Sequence, residues 1–226
     1  MTKNSIFIAA MAVATISTTT QSCVAIATSS VGLAVLKKIL LGGINNGLNI
    51  FSSKDRFLAN QIIESAMPQQ LKDINNTLQK LGLNNLVDKE KDYIAQAATF
   101  TVDVSRPILV NAVNNLTSED AARIAQGGSG AATQILKERT SQQLMAAIAP
   151  KVDAKLNEFG IVKSLNSALA GSNLLGGLLG GQNTSSVTGG ISRLASEQMV
   201  NGLFKLIENH EQQNTSAILN SIKGIQ

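Results

Sequence analysis

Apolar residues recur every three or four positions through most of this chain. That is the spacing of helices that bury one face. Leu36, Leu40, Ile44 and Leu48 predict a first helix, loosened by glycines. "FSSKD" then breaks the pattern, and Phe57 to Ala66 predicts a short second helix. Pro68 opens a third with the stripe Leu71, Ile74, Leu78 and Leu81, and Gly82 stands where a left-handed C-cap belongs. A long helix follows from Asp88, its expected cap, through Tyr93, Ala97, Phe100, Val104 and Ile108, with a kink at Pro107. Phe100, Val102 and Val104 alternate with polar residues as in a strand, but Ala- and Asn-rich flanks at helical spacing decide for helix.

Thr117 and Asp120 have the spacing of a capping box and open the next helix. Beyond Gly127–Gly130, "AATQILKER" is helical, and Ser141 is read as a restart. Leu144, Ile148, Val152, Leu156 and Phe159 form the clearest stripe, bent at Pro150 and closed by Gly160. Residues 171–190 are glycine-rich and are read as a loop, because each Gly costs a helix about 1 kcal/mol relative to Ala. Leu194, Ala195, Met199, Leu203 and Ile207 pattern a final long helix, and "NTSAILNSIKGIQ" a separate short one. The fold class is therefore all-α: a single irregular bundle of about eight to ten helices spanning 33–226, after an N-terminal signal segment.

The first residues read as an address. Lys3 precedes an apolar run from Ile6 to Ile16, too short to span a bilayer, and "STTTQSC" is a small, polar exit. Residues 1–22 are expected to be a lipoprotein-type signal peptide, with Cys23 lipidated as the mature N-terminus and 23–32 a tether. Ala25 and Ala27 offer the competing site, whose cleavage after Ala27 releases a soluble periplasmic protein. No later run of about 20 apolar residues is read as a membrane span.

Composition narrows the chemistry. Hydrophobic residues are 44% and aromatics 3%, so the core is built from Ala, Leu, Ile and Val. The net charge of +4 is scattered, with Lys37-Lys38 the one basic pair, and no basic face is visible for nucleic acid. A single Cys and a single His, His210, exclude an intrachain disulfide and any site needing two imidazoles. No cofactor is expected.

Gly127, Gly128, Ser129 and Gly130 are the one glycine cluster suited to chemistry. They follow a helix, whereas a P-loop or a nucleophile elbow follows a strand. They are read as a corner in which Gly127 and Gly128 end one helix and Ser129 caps the next. The amides there, with Thr133, make a candidate ligand or anion corner. "DKEKD", Asp88–Asp92, lacks the glycine of a calcium loop and is read as acids in a first helical turn. His210 is read as a solvated residue in a last turn, and Asp103 and Arg106 as an ion pair on one helix face.

Four stretches together resemble a known family: "LQKLGLNNLVDKE", "RPILVNAVNNLTSEDAARIAQGGSGAATQILKERTS", "IAPKVDAKLNEFGIVKSLNSAL" and "LASEQMVNGLFKLIENHE". They are similar, in that order, to the exported bacterial domain-of-unknown-function family forty-one ninety-seven, from about Leu33 onward. The resemblance implies an all-helical envelope protein and no activity. The chain departs from the family pattern at Ser129 and Gly130, where acidic residues are usual, and at Ile135, where an aromatic is usual.

The expected function is that of a cell-envelope lipoprotein, a non-catalytic helical binding or scaffold protein. Its expected partners are the membrane, through the N-terminal lipid, and an envelope protein or a lipid, with no nucleic acid. One alternative is a carrier of lipid or apolar ligands with loop 171–190 as lid. Another is an envelope hydrolase centred on the Gly127–Thr133 corner, using Ser129, Thr133 and Asp120.

Overall fold

The computed structural model describes residues 30–169 and 184–223. Among them are ten helices and no strand. They are α1 (Ser30–Phe51), α2 (Lys54–Leu58), α3 (Gln61–Ser65), α4 (Gln69–Lys80), α5 (Asn84–Thr99), α6 (Val102–Asn114), α7 (Ser118–Gly127), α8 (Ala131–Glu158), α9 (Ile161–Leu169) and α10 (Thr184–Lys223). The all-α bundle expected from the periodicity is what forms.

Helices α1 and α10 are the central pair, with α8 against α10 and α6 filling the angle between α8 and α1. The stripe Leu36, Leu40, Ile44 and Leu48 is buried, as are Leu194, Met199, Leu203 and Ile207 of α10 and Leu144, Ile148, Val152 and Leu156 of α8. The glycines of α1 are close-approach positions and do not loosen the helix. A Cβ on Gly43 would stand 3.2 Å from the Cα of Ile207, and one on Gly47 2.8 Å from Leu203 Cδ1. By length and composition, Val31–Phe51 is apolar enough to cross a membrane, and so compatible with an export signal or an anchor. That departs from the expectation of no later apolar run. In the folded protein its apolar stripe is buried in the core.

Several boundaries differ from expectation, each for a local reason. Phe57–Ala66 is two helices, because Asn60 accepts hydrogen bonds from the amides of Ile62 and Ile63 and starts α3 anew. Leu81 leaves its stripe and is exposed. It sits in a Schellman turn in which Gly82 (φ 76°) and Leu83 donate to Gln79 and Leu78. The long helix breaks at Phe100–Thr101, where the strand-like alternation lies, and Asp88 falls inside α5 instead of capping it. Phe100 is 43% exposed, with Lys155 Nζ 4.4 Å from its ring centre. The helix thus breaks before Pro107, which α6 passes through, as α8 passes through Ser141 and Pro150. Arg106 does not pair with Asp103; its guanidinium donates to Asn45 Oδ1 at 2.7 Å and ties α6 to α1.

Helix α10 takes in Thr184–Gly190, residues read as loop, and continues to Lys223 without the separate short helix expected there. The tether expected over 23–32 gives way to α1 at Ser30. The signal segment, Cys23, Ala25, Ala27 and residues 171–183 lie outside the described residues.

Candidate functional site

The glycine corner joins α7 to α8. Its approach is fixed by the capping box: Thr117 Oγ1 accepts from the Asp120 amide, and Asp120 Oδ2 accepts from the Thr117 amide at 2.8 Å. Arg139 of α8 donates to the other oxygen of Asp120. Burial acts against the charge on Asp120, but the amide and hydroxyl of Thr117 and the Arg139 guanidinium together hold its carboxyl below the usual range. Gly130, at φ 86°, is the N-cap of α8 and offers no side chain. Ser129, the expected cap, does not cap the helix.

The cap comes from the last helix. The carboxylate of Glu211, buried, accepts from the amides of Ala132 (3.1 Å) and Thr133 (2.8 Å) and from Thr133 Oγ1 (2.6 Å). A negative charge at a helix N-terminus satisfies orphan donors and meets the positive end of the helix dipole. The anion that the corner was expected to bind is therefore internal at these two amides. Thr133 and Asp120, proposed for hydrolysis, are both engaged in holding helix ends.

Two clefts flank this corner. One, of about 410 Å³, is lined by Ala66, Met67, Pro68 and Phe204 and by Lys137, Lys205 and Asn201. The other, of about 390 Å³, is lined by Gly127, Ser129, Ile135, Arg123 and Glu138. Gly130, Gln134 and Glu208 line both. A Cβ on Gly130 would lie 3.0 Å from Glu208 Oε1, so the glycine lets α10 close over the corner. In the second cleft Glu138 accepts from Gln134 and from Arg123, and these bonds hold its carboxyl below the usual range.

A second buried site went unread in the sequence. Glu90 of α5 is 1% exposed, and its Oε2 accepts from Asn75 Nδ2 of α4 at 3.2 Å. Burial drives its carboxyl up to about 7; the Asn75 bond and the charge of Lys91 offset this only in part. Glu90 and Gln198 line a pocket of about 40 Å³ walled by Phe57, Ile63, Met67 and Ile94. "DKEKD" is thus not a first-turn acidic group. Its Glu90 points inward, and Asp92 pairs with Lys54 at 2.8 Å. No cluster of three metal-ligating side chains occurs among the described residues.

One signal could have found these groups: a polar residue on an apolar stripe. Glu90 lies three residues after Val87 and four before Ile94; Asn75 lies four after Leu71 and three before Leu78; Glu211 lies four after Ile207. His210 likewise is half-buried and not a solvated tail residue, since a Cβ on Gly42 would stand 2.7 Å from its Nε2.

Comparison with curated proteins and with solved structures finds no match. A family profile matches residues 27–219, which include the corner, both clefts and the Glu90 pocket. The chain therefore belongs to the family described as protein of unknown function DUF4197.

Proposed function

We propose that this chain is an exported cell-envelope lipoprotein, anchored through lipid on Cys23, whose helical body is a non-catalytic docking platform for an envelope protein. The observation that carries the docking role is the pair of clefts meeting at Gly130 and Glu208. At about 410 and 390 Å³ they have the size of ligand sites; both stand on α8 and α10, the larger closed by the connection from α3 to α4 and the smaller by α7. Their lining mixes cations, carboxylates and amides with Phe204, Met67 and Pro68. A polypeptide segment matches such a lining better than a hydrocarbon chain does. The non-catalytic reading is supported by the bonds already occupying Thr133 and Asp120. Export rests on the Lys3–Ile16 segment and Cys23, and cleavage after Ala27 would make the same body soluble in the periplasm.

The experiment is site-specific photo-crosslinking in cells from Gln134, which borders both clefts. A discrete protein adduct, weakened by Lys137→Glu or Lys205→Glu, is the expected result. Adducts with lipid alone would overturn docking in favour of a carrier, and no adduct would end it. Incorporation of labelled palmitate should disappear in Cys23→Ala while the chain is still synthesised. Equal labelling of both proteins would refute the anchor.

A further inference from the structure

The larger of the two clefts carries positive charge that the fold does not compensate. Its polar wall is Gln134 and Lys137 of α8 and Asn201, Lys205 and Glu208 of α10, each set on one helix face by spacings of three and four residues. Among the described residues neither lysine has an ion-pair partner. Lys205 is nevertheless held in place. Its Nζ donates to the Ser65 carbonyl at 3.1 Å and to Ser65 Oγ at 3.2 Å, while that hydroxyl donates onward to the carbonyl of Ile62. Ser65 lines the same cleft, so the ammonium stands at its wall. Both acceptors are neutral, and an ammonium has three donors, so its charge and one donor are left for an occupant. Glu208, three residues further along α10, does not pair with it. Its Oε1 accepts from Gln212 at 3.2 Å and lies 3.0 Å from the Cβ position of Gly130, at the corner.

The occupant's chemistry follows from this arrangement. Two lysines and one glutamate give the lining an excess of one positive charge. A carboxylate matches that excess, whereas a phosphate monoester, at about −1.5 to −2, would set its second charge against Glu208. Nor are helix amides open to phosphate oxygens, because Glu211 occupies those of Ala132 and Thr133. The cleft is apolar underneath: Phe204 is buried, Met67 and Pro68 are half-buried, and both lysines are exposed. An occupant therefore presents hydrocarbon deeper than its charge. A polypeptide does this with neighbouring side chains, while a bilayer presents its headgroups ahead of its hydrocarbon. The net charge of +4 on the whole chain also favours an acidic partner over a second copy.

We infer that the larger cleft takes an acidic segment of the partner polypeptide. An Asp or Glu carboxylate is bound by Lys205 and Lys137, and an apolar side chain next to it, or one residue away, is seated on Met67, Pro68 and Phe204. At about 410 Å³ the cleft has room for these two side chains, with the backbone of the segment at its mouth. There the amides of Gln134 and Asn201 are placed to bond it. The inference rests on the docking role of the corner and gives the docked protein a chemistry.

Selection of a random-peptide phage library on immobilised full-length protein tests this. Enriched peptides are expected to carry Asp or Glu beside, or one residue from, Phe, Leu, Ile or Met. The strongest of them, synthesised with a fluorescent label, should bind Lys205→Gln at least about threefold more weakly, and a double variant Lys137→Glu, Lys205→Glu at least about tenfold more weakly, with far-UV circular dichroism unchanged. The same peptide with its acidic residue replaced by lysine should bind the double variant better than it binds wild type. No enrichment, enrichment without an acidic–apolar pair, or equal affinity for wild type and double variant overturns the inference. Displacement of the peptide by phosphatidylglycerol vesicles, and not by phosphatidylcholine vesicles, would overturn it in favour of a membrane surface. Should the double variant fail to fold, Lys205→Gln and a peptide with its acid changed to the amide still decide. A protein crosslink from Gln134 without any acidic preference would end this inference and leave docking standing, whereas absence of the crosslink ends docking itself.

Discussion

Glu90→Gln turns the buried carboxyl into a measurable change in stability. Folded, the group titrates at about 7; its ordinary value is 4.5. The folded state thus keeps a proton that the unfolded chain has already released between pH 4.5 and 7. Stability from this group is complete below pH 4.5, declines as pH rises through that window, and is constant above it. The gap of about 2.5 pH units, at about 1.4 kcal/mol each, corresponds to a loss of about 3 kcal/mol by pH 8. Glutamine has the same shape and no charge, and its carbonyl can still accept from Asn75 Nδ2. The difference in unfolding free energy, variant minus wild type, should therefore grow by about 3 kcal/mol from pH 4.5 to pH 8. Taking the difference cancels every other titrating group. In urea the wild-type midpoint should fall behind the variant's by about 1 M at pH 8. A difference that stays flat within about 0.5 kcal/mol across the range would refute the burial of Glu90.

Other consequences are equally direct. Glu211→Ala leaves the amides of Ala132 and Thr133 and the Thr133 hydroxyl without their acceptor. It should cost about 3–5 kcal/mol and speed hydrogen exchange at those two amides first. Gly130→Ala places a Cβ on a residue at φ 86° and against Glu208. A loss of about 1–2 kcal/mol in chemical denaturation is expected, and an unchanged midpoint would contradict the left-handed N-cap. Asp120→Asn should remove the acid-side stability of the corner. The wild-type group is depressed when folded, so its contribution is present above pH 3.8 and is lost as pH falls below it. Wild type and variant should thus converge in thermal midpoint toward pH 2, and a gap that widens there would refute the assignment.

Much of the body was legible residue by residue. The stripes at Leu36–Leu48, Leu144–Leu156 and Leu194–Ile207 became the buried faces of α1, α8 and α10 because period 3.6 is a local property of the chain. The Thr117–Asp120 box formed as spaced, since all its atoms lie within one helical turn. Breaks were less legible. Ala59–Asn60 and Phe100–Thr101 interrupt helices without a proline or glycine to announce them, while α6 and α8 continue through Pro107 and Pro150.

By itself the sequence determined helix content, the identity of most core side chains, and the helix ends at Gly82, Gly128 and Gly160, all at positive φ. Each of these depends on neighbours within about four residues. Tertiary structure alone decided which polar group meets which. Glu211 reaches the start of α8 across 78 residues of chain, Glu90 meets Asn75 and shares its pocket with Gln198, and Gly43 lies against Ile207. A carboxylate on an apolar stripe carries no mark of its partner, because the partner is chosen by how whole helices pack and not by spacing along any one of them.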